Sequence, residues 1–137
     1  MNTIFTIIAA VDQDSKDSLT DIKELPDVML LIAGTGDELV SLGEKFHEAA
    51  VVLISLDAEF IDHDNVVSIL KAQNPERPVI LLVKYLTVNS LKFARNKNYN
   101  DVIHLPLQSG NFPALVRYNH SAWKAEQKNK KETPISI

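Results

Sequence analysis

The sequence predicts an α/β fold, a three-layer, doubly wound sheet of five parallel strands. Two observations point to it: short runs of apolar residues recur along the chain, and the segments between them carry apolar residues at helical spacing. Unbroken apolar runs are typical of parallel strands, because helices cover both faces of such a sheet. The chain has 137 residues, a length that suits one domain.

Five apolar runs are predicted as strands. The first is an unbroken stretch of eight residues, and the fifth is the shortest and contains His104. The predicted strands are residues 4–11, 28–32, 51–54, 79–83 and 102–105. Crossover connections between parallel strands are right-handed, so alternating strands and helices build one open sheet.

The segments outside the strands are predicted as five helices. Pro26 stops the first, since proline cannot continue a helix, and Asp62 is a capping residue ahead of the third. The fourth offers Leu91 and Phe93 as its apolar residues. The predicted helices are residues 15–25, 37–48, 64–71, 87–96 and 112–128.

Charge is distributed unevenly along the chain. Residues 1–64 carry 14 acidic residues and three lysines, whereas residues 65–137 carry four acidic and 11 basic residues. A basic half attracts an acidic protein, a nucleic acid or an anionic membrane, although a solvated basic helix and tail that balance the acidic half are the simpler interpretation. We assign residues 1–125 to the domain and residues 126–137 to a charged tail or the start of a linker.

Composition excludes several classes of function. The chain has no cysteine, so it holds neither a disulfide scaffold nor a thiolate metal site nor a cysteine nucleophile. No apolar run approaches the roughly 20 residues of a membrane-spanning helix. The apolar N-terminus has no basic flank and is followed by acidic residues, unlike a signal peptide. We expect a cytoplasmic protein without a membrane span.

Ligands of an open α/β sheet bind beyond the carboxyl ends of its strands. Asp12, Asp14 and Asp57 follow two of these ends, and they would suit a divalent cation if they converge, because hard ions take several carboxylate oxygens. Two acids near a strand end are also common in solvated loops, which is the favoured interpretation. Among the four histidines, only His104 lies at a strand end.

Three segments at these strand ends carry a family resemblance: AVVLIS at residues 50–55, PVILLV at residues 78–83 and DVIHLP at residues 101–106. Over roughly residues 3–125 the chain resembles the receiver domain of bacterial two-component response regulators. The resemblance implies a flavodoxin-like sheet with strand order 2-1-3-4-5. In that family, an acidic pair after strand one holds magnesium, an aspartate at the end of strand three accepts phosphate, and strands four and five end in Ser/Thr and Lys-Pro.

The residues that perform this chemistry in the family are nearly all different in this chain. Ser55 stands at the acceptor position, and it cannot form an acyl phosphate. Val83 replaces the Ser/Thr, Leu105 replaces the lysine, and Gln13 follows Asp12 in place of the second acid. The resemblance therefore implies a pseudo-receiver that is not phosphorylated, is not an enzyme and binds no cofactor or metal. In an alternative alignment Asp57 is the acceptor, but the matches at Asp62, Val83 and Pro106 would then slip by two residues; we prefer Ser55.

Receivers signal through the face formed by helix four, strand five and helix five, which corresponds to residues 86–125. Aromatic side chains are enriched at interface hot spots, and this region contains several. We expect a protein partner or a homodimer at this face, and any dimer to be constitutive because the acceptor is replaced. The candidate interface residues are Lys92, Phe93, Arg95, Tyr99, Tyr118 and Trp123.

A close architectural analogue is the receiver-like domain at the front of Flp-type pilus-assembly ATPases, which looks like a localisation and dimerisation module. A degenerate transcription regulator fits almost equally well, and nucleic acid would then be bound only through a downstream domain. The competing hypothesis is a small-molecule-binding or hydrolytic domain that uses Ser55 and His104. In this hypothesis Asp12, Asp57 and Lys84 are grouped with them at the strand ends. Such a site requires hydrogen-bond contact between serine and histidine, an acid that orients the base, and an oxyanion hole.

Overall fold

A computed structural model describes residues 5–19 and 28–105 of the chain. Within them lies a five-stranded parallel sheet with strand order β2-β1-β3-β4-β5. The strands are β1 Phe5–Ala10, β2 Val28–Ala33, β3 Val51–Ser55, β4 Val79–Val83 and β5 Asp101–His104. The predicted fold class and strand order are confirmed, and each observed strand overlaps the apolar run that predicted it.

The apolar runs become strands because the sheet is covered on both faces. Every residue of β3 and β4 is buried. Alternate residues enter two separate cores, with Leu53 and Leu82 on one face and Val52 and Leu81 on the other. The edge strand β5 is less buried, and only Ile103 within it is fully enclosed.

The helical segments differ more from the predictions. They are a 3-10 helix at Gln13–Leu19, α1 at Gly36–Ser41, a second 3-10 helix at Gly43–Glu48, α2 at Val66–Gln73 and α3 at Val88–Asn96. No helix among the described residues is both long and apolar enough to cross a membrane.

The first two predicted helices are corrected by these bounds. The described part of the first, predicted over residues 15–25, is a 3-10 helix that begins at Gln13. The second, predicted as one helix over residues 37–48, is divided after Ser41. Leu42 caps α1, and its N–H donates a hydrogen bond to the carbonyl oxygen of Leu39. Gly43 then starts a separate 3-10 helix. Glycine is a poor helix former, so a break at this point is physically expected.

The buried side of the α3 helix is formed by small residues. A capping box fixes its start: the Thr87 hydroxyl accepts from the Ser90 N–H, and the Ser90 hydroxyl accepts from the Thr87 N–H. Ser90 and Ala94 are the buried positions, whereas Leu91 is 49% exposed. Of the two apolar residues that indicated this helix, Phe93 packs partly against the core, whereas Leu91 does not, because the small residues at i and i+4 occupy the buried side.

Three predictions lie outside the described residues. They are the fifth helix at residues 112–128, the domain boundary at residue 125 and the tail at residues 126–137.

Candidate functional site

Three predicted site residues converge at the carboxyl ends of neighbouring strands. Asp12 follows β1, Ser55 is the last residue of β3, and Lys84 follows β4. Because these strands are parallel and adjacent in the sheet, their ends meet at one edge, where open α/β sheets bind ligands. We call the resulting cluster of Asp12, Asp14, Ser55, Asp57 and Lys84 the strand-end pocket; above it lies a depression of about 380 Å³.

Asp12 is the centre of the strand-end pocket. Its Oδ1 atom accepts hydrogen bonds from the Ser55 and Ser15 hydroxyl groups, each at 2.7 Å. Ser55 is only 1% exposed, and its Oγ atom also accepts from the Asp57 N–H at 3.2 Å. The Ser55 hydroxyl proton is therefore directed at a carboxylate, which holds the side chain in place within the sheet edge.

Lys84 supplies positive charge to the same cluster. Its Nζ atom lies 3.0 Å from Asp12 Oδ2, 3.7 Å from Asp14 Oδ2 and 3.8 Å from Asp57 Oδ2. The Asp12 side chain is 15% exposed, so its pair with Lys84 is partly withdrawn from solvent, whereas Asp14 and Asp57 are exposed. The three carboxylates predicted as a possible cation site thus surround an ammonium group.

The protonation of the strand-end pocket follows from these contacts. Burial raises the pKa of the Asp12 carboxyl group, but hydrogen bonds from Ser55, Ser15 and Lys84 outweigh burial and hold that pKa below its ordinary value. The hydrogen bond to Asp12, aided by the charges of Asp57 and Asp14, raises the pKa of Lys84. Both groups are therefore charged at neutral pH.

The remaining pocket predictions concern side chains that take no part in this cluster. Gln13 is exposed, and its amide donates to the carbonyl of Gly34 at 3.3 Å. Val83 is 1% exposed and Leu105 is 3% exposed, and the two lie in the cores on opposite faces of the sheet. Leu105 also lines a cavity of about 300 Å³ beside Lys84, so an apolar side chain borders the pocket there.

The contact required by the hydrolytic hypothesis is not formed between Ser55 and His104. The β4 strand separates β3 from β5, and His104 is the neighbour of Val83 across that pairing. The His104 Nε2 atom lies 2.9 Å from the carbonyl oxygen of Lys84, while the Ser55 hydroxyl donates to Asp12. Among the histidines whose side chains the structure describes, none forms a hydrogen bond with Ser55, whereas a serine nucleophile is activated by such a base.

The candidate interface residues on α3 and after it differ in exposure. Lys92 and Arg95 are exposed, and Phe93 is half-buried. Tyr99 is 8% exposed, and its hydroxyl group lies 2.6 Å from His63 Nδ1 beneath the helix, which leaves it little surface to offer a partner. Tyr118 and Trp123 lie outside the described residues.

Two features of this region are not predicted from the sequence. Ser15 is buried and bound to Asp12, and its spacing of three residues from Asp12 is the only signal in the sequence. The second feature is a group of exposed apolar side chains on the β4–α3 connection and on α3, which we call the α3 apolar surface. Its members are Tyr85, Leu86, Val88 and Leu91, with exposed fractions of 79%, 53%, 67% and 49%.

Comparison with known proteins identifies the fold. No protein-family model and no curated protein matches the chain in sequence. Among solved structures, a CheY-like receiver domain from Methanospirillum hungatei is similar with a TM-score of 0.71 at 16% identity, covering 90% of this chain and 99% of that one.

Two further solved structures support the same assignment. The signal receiver domain of a DNA-binding response regulator from Colwellia psychrerythraea matches with a TM-score of 0.65 at 19% identity, covering 82% of this chain and 98% of that one. A pilus assembly-related protein from Burkholderia pseudomallei matches with a TM-score of 0.69 at 14% identity, covering 89% and 93%. The chain therefore has the fold of the response-regulator receiver domains.

Proposed function

We propose that this chain is a receiver-type signalling module that is not switched by phosphorylation and acts through protein–protein contacts. The observation that carries the proposal is the environment of Ser55. The residue at the end of β3 is a serine whose hydroxyl group donates to Asp12 at 2.7 Å and which is almost fully buried. A serine in this setting is neither an acyl-phosphate acceptor nor an activated nucleophile.

The neighbouring positions support the same conclusion. Stabilising a transferred phosphoryl group requires cations and hydrogen-bond donors directed at its oxygens. Val83 and Leu105 provide neither, because both side chains are apolar and buried. The one cation of the strand-end pocket, Lys84, is already paired with Asp12.

A surface suited to a partner lies on α3 and on the connection before it. Exposed Lys92 and Arg95 flank the α3 apolar surface, and a mixture of apolar and basic side chains suits an interface with an acidic protein or a second copy of the chain. The similarity to the pilus assembly-related protein favours a role in organising a larger assembly. A degenerate transcription regulator is the second candidate, favoured by the similarity to the receiver of a DNA-binding regulator.

Phosphorylation is tested by incubating the protein with acetyl phosphate and magnesium and measuring its intact mass. We expect an unchanged mass, with a phosphorylatable receiver domain treated in parallel as the positive control. A phosphoryl adduct would overturn the proposal. If one forms, its loss in Asp57→Asn or its retention in that variant will show whether the exposed Asp57 is the acceptor.

The interface is tested by sedimentation at micromolar concentration without a phosphodonor. If the chain dimerises through α3, the double variant Lys92→Glu, Arg95→Glu should weaken the dimer, and Lys45→Glu, on the second 3-10 helix, is the matched control. A dimer that is indifferent to the α3 substitutions would place the interface elsewhere. A monomer at all concentrations would exclude the homodimer and leave only a different protein as the partner.

A further inference from the structure

We infer that Lys84 is the resident cation of the strand-end pocket, and that its ammonium group excludes a divalent metal ion from the carboxylates of Asp12, Asp14 and Asp57. This inference rests on the proposed function, since it concerns how the same pocket is held in one state. The fold family implies a magnesium ion at this edge of the sheet, but the residues that this chain has there do not suit a magnesium site.

The donor set of the strand-end pocket is the first evidence for that disagreement. Magnesium requires near-ideal octahedral oxygen coordination at about 2.0–2.1 Å. Asp12 Oδ1 is occupied by two hydroxyl donors, Ser15 and Ser55, and Asp12 Oδ2 by Lys84 at 3.0 Å. Within the described ranges, residues 5–19 and 28–105, no group of three or more acidic, histidine or cysteine side chains is arranged to hold a metal ion.

Charge gives the second argument. A metal ion among these carboxylates would have to lie beside the Lys84 ammonium group, which is within 3.8 Å of all three. Two cations at that separation repel each other, and part of the site is withdrawn from solvent and therefore poorly screened. A metal ion could bind only after displacing Lys84 from Asp12. The Asp12 carboxylate would then exchange one cation for another.

Attachment to the chain favours the lysine in this exchange. Lys84 directly follows β4, and its carbonyl oxygen is held by His104 at 2.9 Å, so the ammonium group never leaves the neighbourhood of the site. A tethered group competes at an effective concentration that is typically of millimolar order. A free metal ion would therefore compete with the Lys84 ammonium group in every protein molecule.

The resident cation also has a consequence for the α3 apolar surface. Lys84 is the first residue of the connection that carries Tyr85 and Leu86 to α3, and the Tyr85 carbonyl oxygen accepts from Ser90 Oγ at 3.4 Å. The start of this connection is thus tied to Asp12 and its end to the helix cap. The surface is presented in one arrangement without any metal ion.

Thermal unfolding with and without millimolar Mg²⁺, at constant ionic strength, tests the inference directly. The wild-type Tm should not depend on Mg²⁺, and Mn²⁺ should give no bound signal in electron paramagnetic resonance. Lys84→Met should lower the Tm by about 3–6 °C in chelator, on the scale expected for one lost charged contact in a domain of this size. Mg²⁺ should then restore most of that loss, and Mn²⁺ should bind.

Lys16→Met is the matched control, because the Lys16 side chain is 33% exposed, as against 34% for Lys84, and pairs with Glu38 outside the pocket. This variant should remain indifferent to both ions. Metal binding by the wild type would overturn the inference even if Lys84→Met failed to fold. A folded Lys84→Met variant that ignores both ions would also overturn it.

The two proposals fail in different ways. Wild-type protein that binds Mn²⁺ but gains no mass from acetyl phosphate contradicts the resident cation alone. Protein that gains a phosphoryl group contradicts the proposed function.

Discussion

The strand-end pocket and the α3 apolar surface are neighbours in the chain, but their side chains are in opposite environments. In the pocket, the charged and hydroxyl groups of Asp12, Ser55 and Lys84 are paired with one another. On the surface, beginning one residue after Lys84, Tyr85 and Leu86 are more than half exposed.

This difference bears on where function lies. A site that acts on a ligand needs groups that are free to contact it, whereas Asp12, Ser55 and Lys84 at the centre of the pocket are paired with one another. Exposed apolar side chains grouped together are typical of surfaces that bind other proteins. Under the proposed function, recognition takes place on α3 and the pocket supports that surface.

The largest expected effect is on the free energy of unfolding, and it distinguishes a core position beneath the pocket from a position on the α3 apolar surface. Leu82→Ala removes a side chain that is 0% exposed in β4, and the cavity should cost about 2–5 kcal/mol of unfolding free energy. Leu91→Ala, the same change at a position 49% exposed, should cost about 0.5 kcal/mol or less. Urea denaturation measures both, and equal losses would show that Leu91 is buried.

The next effect tests how tightly the pocket is paired. Asp12→Asn removes the charge that Lys84 contacts and places an amide among hydroxyl donors, so we expect a loss of about 2 kcal/mol in the free energy of unfolding. Glu59→Gln, on an exposed residue lining the same depression, is the control and should lie within about 0.5 kcal/mol of wild type. If the two variants lose the same stability, the pocket pairing contributes nothing.

A smaller effect concerns how stability depends on pH, and it comes from His63, whose ring contacts Phe93 of α3. Burial lowers the pKa of His63, outweighing a backbone hydrogen bond at Leu56 and the charges of Asp62 and Asp64, which raise it. The folded state therefore binds fewer protons than the unfolded chain, whose histidines have a pKa of about 6.5. The stability contributed by neutral His63 is complete above that value and is lost as the pH falls below it.

His63→Gln isolates this effect, because the substitution removes only this imidazole. The stability difference between wild type and His63→Gln should shift against the wild type as the pH is lowered from neutral, measured by urea denaturation at each pH. A difference that stays constant with pH would mean that His63 protonates freely in the folded state.

The smallest effect concerns the rim of the pocket. A Cβ atom on Gly34 would lie 2.4 Å from Lys16 Cε and 2.8 Å from Gln13 Nε2, both at the ends of flexible side chains. These ends can move away, so Gly34→Ala should change the unfolding free energy by no more than about 1 kcal/mol, the scale of an exposed ion pair. A larger loss would mean that the rim is as rigid as the Asp12 cluster.

The sheet was predictable because burial dictates its sequence. Strands such as β3 and β4 are enclosed on both faces, so they are apolar except for Ser55 at the end of β3, and the apolar run itself marks the strand. Helices give a weaker signal, because a helix is defined by one buried side. In α3 that side consists of Ser90 and Ala94, and hydrophobicity pointed instead to Leu91.

The strand-end pocket was predictable in its members but not in its bonding. Strand ends placed Asp12, Ser55 and Lys84 at one edge, since topology alone decides that. The direction taken by the long Lys84 side chain is set by carboxylates from two distant segments, at residues 12–14 and 57. These contacts depend on the folded geometry, so no local pattern in the sequence predicts them.

The central claim, that the pocket supports a surface which phosphorylation does not switch, is tested most directly by amide NMR spectroscopy. Spectra of the wild-type protein are compared before and after addition of Mg²⁺ and beryllofluoride, which together mimic the phosphorylated state of a receiver. We predict that the amide signals of Ser55, Asp57 and Lys84 and those of α3 do not move. Shifts that appear together at Ser55 or Asp57 and along α3 would contradict the account, because they would show that the pocket still receives a phosphoryl-like ligand and transmits its presence to the surface.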